Sequence, residues 1–255
     1  MKDYQFEVCA NSVESCIAAQ AGGADRVELC AGIPEGGTTP HTAISSSHGK
    51  YCSRPSCISL SVPWRRLPLL LHEQRIMLKD IENARRLGAD GVVFGCLTAE
   101  GNVDIPLMEQ LMKASQGMSV TFHRAFDVCR NLRKAIEDII ELGCNRILTS
   151  GQQPTAERGI PLLKELQQQA SDRIILLAGC GVNEANIAHI ARETGIREFH
   201  FSARENIESS MLYHNSAVSM GGTVHIDEYT HTITTAERVK RTIGALKASP
   251  LAPPP

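Results

Sequence analysis

The sequence has no apolar run near the roughly 20 residues that a membrane-spanning helix needs. Its start, MKDYQFEVCANS, lacks the basic opening, long apolar stretch and small-residue cleavage site of a secretory leader, so a cytoplasmic protein is expected. No Cys-x-x-Cys pair occurs, and the nine cysteines are an odd number scattered over 255 residues. Neither a disulfide framework nor a structural zinc site fits that pattern, and most of these thiols should be small buried hydrophobes. No charge of one sign dominates either: the formal net charge is −2 and the pI about 6.5. A basic field for nucleic acid is therefore missing, and no membrane contact is expected. Also absent are a Gly-x-Ser-x-Gly elbow, a His-Glu-x-x-His helix and a Walker glycine loop. Small molecules or ions remain as partners.

What is present is a large apolar fraction, 42%, and a rhythm. Short apolar runs alternate with helical phrases: YQFEVCA then NSVESCIAAQAGGA, GVVFG then IPLMEQLMKAS, VTFHRAF then LRKAIEDIIELG. RILTSG, RIILLAGCGV and EFHFSAR continue the series, each followed by a helical phrase. Runs of this length between helices signal repeated βα units with a parallel sheet. The phrases AGGADR, RLGADG, ELGCNR and ETGIRE each put a glycine and a polar turn between helix and strand, as expected of helix C-caps. This repeated punctuation favours one closed (β/α)8 barrel over a doubly wound sheet, with residues 1–248 as a single domain and 249–255 as a disordered Pro-rich tail. Seven strands are clear. The third in order must lie between Pro40 and His72, where the rhythm breaks, and only CISLSV there is a plausible strand.

Barrel sites form at the C-terminal ends of strands. The polar residues gathered there include Glu7, Cys9, Glu28, Cys30, His123, Arg124, Ser150, Gly179, Gly181, His200, Ser202 and Arg204. Period-two alternation puts Glu7 with Cys9, and Glu28 with Cys30, on shared faces. Two acids on one interior face need counter-charges, for which Arg124, His123, His200 and Arg26 are available. These groups can form a neutralising network across the barrel, or stand around a ligand. In the second case His123 is a candidate general acid or base, Arg124 an anion clamp, Glu7 or Glu28 a tuning group, and His200 a further catalytic candidate. The loops AGCGV and FSAR place Gly179, Gly181 and Ser202 where many barrels hold a phosphate on backbone N–H groups, so a small anionic metabolite is one candidate ligand. Cys9 and Cys30 are the nearest approach to a soft-metal pair, since thiolates select Cu(I). The plain alternative is two buried cysteines filling small spaces.

The phrases FEVCANSVES, GGADRVELCAG, EGGTTP, LGADGVVFG, VTFHRAFD, RILTSG and EFHFSAR, collinear over most of the chain, resemble the CutC family. That resemblance implies a TIM-barrel protein linked to copper homeostasis, with Cu(I) as the bound ion and the strand-end cysteines matching Cys9 and Cys30 as candidate ligands. A homo-oligomer formed through outer helices is a further possibility. One segment departs. Family members carry a third strand ending in Arg-Gly-Gly-Asp-Phe, where this chain reads Val62-Pro-Trp-Arg-Arg-Leu-Pro68. Pro-Trp-Arg-Arg-Leu-Pro can be encoded so that reading one nucleotide later yields Arg-Gly-Gly-Asp-Phe. A local shift of frame, opening after about Ile44 and closing near His72, accounts for the broken rhythm. Resequencing the gene tests it: codons that restore Arg-Gly-Gly-Asp-Phe in the neighbouring frame are expected, and codons that cannot do so refute the shift.

Overall fold

The protein is described from a computed structural model, which covers residues 4–33, 36–45, 52, 56–59, 69–215, 217–218 and 227–249. Eight parallel strands close into a barrel: β1 (Gln5–Ala10), β2 (Arg26–Leu29), β3 (Ser56–Ser59), β4 (Gly91–Phe94), β5 (Ser119–Phe122), β6 (Arg146–Thr149), β7 (Ile175–Ala178) and β8 (Glu198–Phe201). The α-helices whose bounds lie within the described residues are α1 (Val13–Gly22), α2 (Leu71–Arg86), α3 (Ile105–Ala114), α4 (Leu132–Glu141), α5 (Ile160–Ala170), α6 (Ile187–Thr194) and α7 (Ala236–Lys247). The (β/α)8 reading of the sequence holds.

Local chemistry sets the boundaries. Ser12, Asp104, Asn131 and Thr235 cap α1, α3, α4 and α7 by accepting a hydrogen bond from a first-turn amide. Helix α4 buries Leu132, Ala135, Ile136 and Ile139, one face at helical spacing, against the sheet. At the other ends Gly23, Gly88, Gly143 and Gly195, from the four repeated phrases, all take positive φ, and each turns the chain back toward a strand.

Three features go beyond the expected rhythm. The third strand is Ser56–Ser59, within the stretch where CISLSV was the only candidate, and it pairs with β2 through Val27–Ser56 and with β4 through Cys57–Gly91. The rest of the frame-shift reading falls on residues 46–51, 53–55 and 60–68, outside the described residues; immediately after them Leu70 and Leu71 are exposed, while Leu69 packs on the core. Secondly, VTFHRAF is not strand throughout. It is β5 only to Phe122, and Arg124–Val128 coils into a 3-10 turn capped by the His123 ring. Thirdly, an antiparallel ribbon, β9 (Arg204–Glu208) with β10 (Thr230–Thr234), stands beside the barrel between β8 and α7. Both strands are short, polar and largely exposed, which leaves no apolar run for sequence reading to detect.

Gly143 isolates the cost of the repeated turn, because φ is +81° and a Cβ there would meet nothing within 4 Å. Gly143→Ala is expected to destabilise the fold by about 1 kcal/mol through backbone conformation alone. Urea denaturation checks this, and an unchanged midpoint would contradict it.

Candidate functional site

Inside the barrel the inward-facing positions are polar to an unusual depth. At the lower end Arg26 of β2, Arg146 of β6 and Glu198 of β8 meet: Glu198 accepts from Arg26 Nη2 at 2.9 Å and from Arg146 Nε at 2.8 Å, and Arg146 Nη1 donates to Ser119 Oγ at 2.8 Å. One level up, β1 carries Glu7, in register with Arg26 on one side and His200 on the other. Arg26 Nε donates to Glu7 Oε2, and Glu7 Oε1 lies 2.8 Å from His200 Nδ1. His200 Nε2 then faces Glu28 Oε2 at 3.5 Å. At the top, Cys9 of β1 and Cys30, just past β2, bring their sulfurs to 3.4 Å. Arg204 Nη2 donates to Cys9 Sγ at 3.3 Å.

Electrostatics follow from this stacking. Burial alone would raise the Glu7 carboxyl, but Arg26 and His200 outweigh it and hold it down to about 2. Burial would likewise lower the His200 imidazole, yet its hydrogen bonds to Cys9 and Glu7 and the charges of Glu28 and Glu7 keep it well above its ordinary value. Glu28 has no such arginine; burial, then the neighbouring Cys9 sulfur, push it up to about 8. The hydrogen bond shared with Cys30, which favours the protonated Cys9 thiol, and burial together raise the Cys9 thiol. Glu7 is therefore held ionised and His200 protonated, the Cys9 thiol is held neutral, and Glu28 is the less readily ionised of the two acids.

A cavity of about 630 Å³ opens above this stack, lined by Cys9, Glu28, Cys30, His123, Arg124, Gly181, His200 and Ser202 among others. Glu7 lies beneath the cavity, buried, and supports His200 from below. Two expectations need correction. Arg124 contacts neither glutamate: it sits two residues beyond the end of β5, on the 3-10 turn, where Nε pairs with Asp127 at 2.8 Å and Nη2 donates to Ser150 Oγ at 3.0 Å. Arg26, two residues before Glu28, supplies the counter-charge instead. Gly179 offers no anion donor, because its N–H donates to the Thr149 carbonyl at 3.0 Å. It serves as a close-approach point: a Cβ there would come within 2.5 Å of Leu148 and 3.3 Å of the His200 Cβ. Glu198 and Arg146 escaped sequence reading because they open their strands, at the end of the barrel remote from the mouth.

The donors at the top fall into two groups whose ligand atoms lie within 4.8 Å of one another: Cys9, Glu28 and Cys30, and Glu7, Glu28 and His200. The first offers two soft sulfurs and one oxygen. The second is already committed to internal ion pairs. Across the cavity, burial pushes the His123 imidazole down to about 4, and its Nδ1 accepts from the Ala125 amide at 3.2 Å, so the neutral ring carries its proton on Nε2. His123 is thus a neutral group at the wall, with Nδ1 occupied by the turn it caps.

Comparison with known proteins adds a lineage. The model of the CutC family matches residues 4–205. A CutC family protein of Bacteroides thetaiotaomicron is 67% identical, with 97% of this chain and 100% of the relative covered. One from Mesorhizobium japonicum is 42% identical over 95% of this chain and 94% of its own length. Among solved structures, CutC of Streptococcus agalactiae, described as a candidate copper homeostasis protein, is 30% identical with a TM-score of 0.75, covering 78% of this chain and 98% of that one. A thiamine phosphate pyrophosphorylase of Pyrococcus furiosus, 15% identical at a TM-score of 0.56 over 96% of each chain, shares the fold alone.

The lowered His123 pKa carries a pH dependence. The unfolded chain binds a proton on this histidine below about 6.5, whereas the folded protein does so only near 4, so stability is full above neutrality and lost as pH falls between the two values. Between pH 7 and about pH 4.5 this one group removes on the order of 2 kcal/mol. His123→Gln is expected to flatten the pH dependence of urea unfolding by that amount; identical profiles would contradict it.

Proposed function

The chain belongs to the CutC family, and from that premise we propose that it is a copper homeostasis protein that binds Cu(I) between Cys9 and Cys30 in the cytoplasm. The observation that carries the reading is the sulfur pair, 3.4 Å apart at the neighbouring ends of two paired strands. Two sulfurs sharing one ion at bonds of about 2.3 Å stand at most about 4.6 Å apart, so small side-chain rotations suffice. Thiolate donors favour Cu(I) over harder ions, and Glu28 lies within reach as a third, oxygen donor.

The surroundings fit a captured soft cation. Both sulfurs line the cavity, so an ion has a path in. Loading must expel the Cys9 proton, whose thiol is raised in the ion-free protein, so uptake strengthens with rising pH. Arg204, donating to Cys9 Sγ, stands where it favours the thiolate form. The cytoplasmic placement draws support from eight of the nine cysteines, which stand as free thiols and suit a reducing compartment. None of the described helices is long and apolar enough to cross a membrane.

Titration of the reduced protein with Cu(I) against a competing chelator tests the reading. Cys9→Ser and Cys30→Ser should each weaken binding at least about tenfold, since even groups that only orient ligands contribute that much. Unchanged affinity in both variants would reject these ligands.

A further inference from the structure

A single ion on two sulfurs occupies one corner of a cavity of about 630 Å³, a volume in the range that holds whole metabolites. The remainder of the cavity is asymmetric. Ile33, Val128, Leu148, Val182 and Phe201 give it apolar wall. Three arginines line it as well. Arg124 is paired with Asp127 at 2.8 Å, and Arg238 faces Glu184 at 3.6 Å. Arg204 has no acid partner among the described residues: its Nη2 meets only the sulfur of Cys9, a weak acceptor, and its Nε is buried with no hydrogen-bond partner. A guanidinium held in such surroundings without an anion is costly.

The backbone around Arg204 is held in an uncommon shape. Ala203, one residue before it, has φ +45°, and Cys180 on the facing loop after β7 has φ +78°, both in the left-handed region without being glycine. Non-glycine residues in that region cost of order 1–3 kcal/mol and cluster at ligand clamps. Arg238 fixes the turn further by donating to the Arg204 carbonyl. The hydroxyl of Ser202, two residues before Arg204 and also on the wall, makes no hydrogen bond to any described residue.

We propose that the barrel mouth binds a small organic oxyanion with a short apolar body, its anionic head held by Arg204 and Ser202 and its body on the apolar walls. A rotation of the guanidinium away from the sulfur exchanges a weak acceptor for a charged one, and hydrogen bonds to charged groups are the stronger kind. A carboxylate and a phosphate monoester share the required head. The cavity and the strained loops do not depend on what the cysteines hold, so the anion site is open to test in the copper-free protein.

Calorimetric titration of the full chain at low ionic strength with butyrate, glycerol 3-phosphate and inorganic phosphate tests the inference. Saturable one-site binding of butyrate or glycerol 3-phosphate is expected, with inorganic phosphate weaker because it lacks a body; which of the two binds identifies the head. Arg204→Gln should weaken that binding about tenfold or more, Ser202→Ala by a smaller factor, and Arg133→Gln on the outer surface should change nothing. Cys30→Ser should keep the anion while losing Cu(I). Circular dichroism verifies folding; if Arg204→Gln does not fold, Arg204→Lys and Ser202→Ala carry the comparison. Absence of saturation by every probe, full binding in the Arg204 and Ser202 variants, or joint loss of anion and Cu(I) in Cys30→Ser would overturn the proposal.

Discussion

The structure depends on a chain of alternating charge that runs up the inside of the barrel: Arg146, Glu198, Arg26, Glu7, His200, Glu28. Barrel interiors are normally filled with branched apolar side chains in layers. Here the lower layers are ionic, and each member has a partner of opposite sign above or below it. Taking one charge out would leave its neighbour buried and unpaired, the situation that costs 3–5 kcal/mol in typical proteins, roughly a third of a domain's net stability. The chain is also directional. Arginines dominate its lower end, so Glu7 is firmly ionised, while Glu28 at the upper end lacks an arginine and its carboxyl is pushed up to about 8.

That gradient shapes the mouth. His200 is fixed by Glu7 beneath it and so presents a set orientation to Glu28 and Cys9. The two cysteines stand at the uppermost level, where the strand register places Cys9 opposite Glu28 and leaves Cys30 to follow one residue past the end of β2. The sulfur pair is therefore a consequence of the same alternation that builds the ionic layers: Glu7 and Cys9 are one step apart on β1, and Glu28 and Cys30 on either side of the end of β2. Gly179 completes the arrangement by leaving space against the His200 Cβ.

Much of this was legible in the sequence, and the reasons are physical. Seven strands announced themselves because buried parallel strands are short apolar runs, and four helix ends because the turn demanded glycine at positive φ. The mouth residues Cys9, Glu28, Cys30, His123 and His200 could be gathered because barrel topology fixes which strand ends meet. Pairing was harder. Arg124 stands beside His123 in the sequence, but a 3-10 turn carries it outward to Asp127, and nothing local announces that turn. Glu198 and Arg146 lie at strand starts, where an exposed charge is the ordinary expectation, and only closure of the barrel reveals that they meet. The ribbon of β9 and β10 has no apolar face to betray it, although its first residue, Arg204, reaches the cavity.

A Cu(I) site in this barrel stands or falls with the sulfur pair of Cys9 and Cys30. X-ray absorption spectroscopy at the copper edge, on the full chain loaded with one equivalent of Cu(I) under reducing conditions, reads the donor atoms directly. Two sulfur scatterers at about 2.3 Å in the unaltered protein, reduced to one in Cys9→Ser and in Cys30→Ser, is the predicted result. A first shell made only of nitrogen and oxygen, or one unaffected by either substitution, would contradict it.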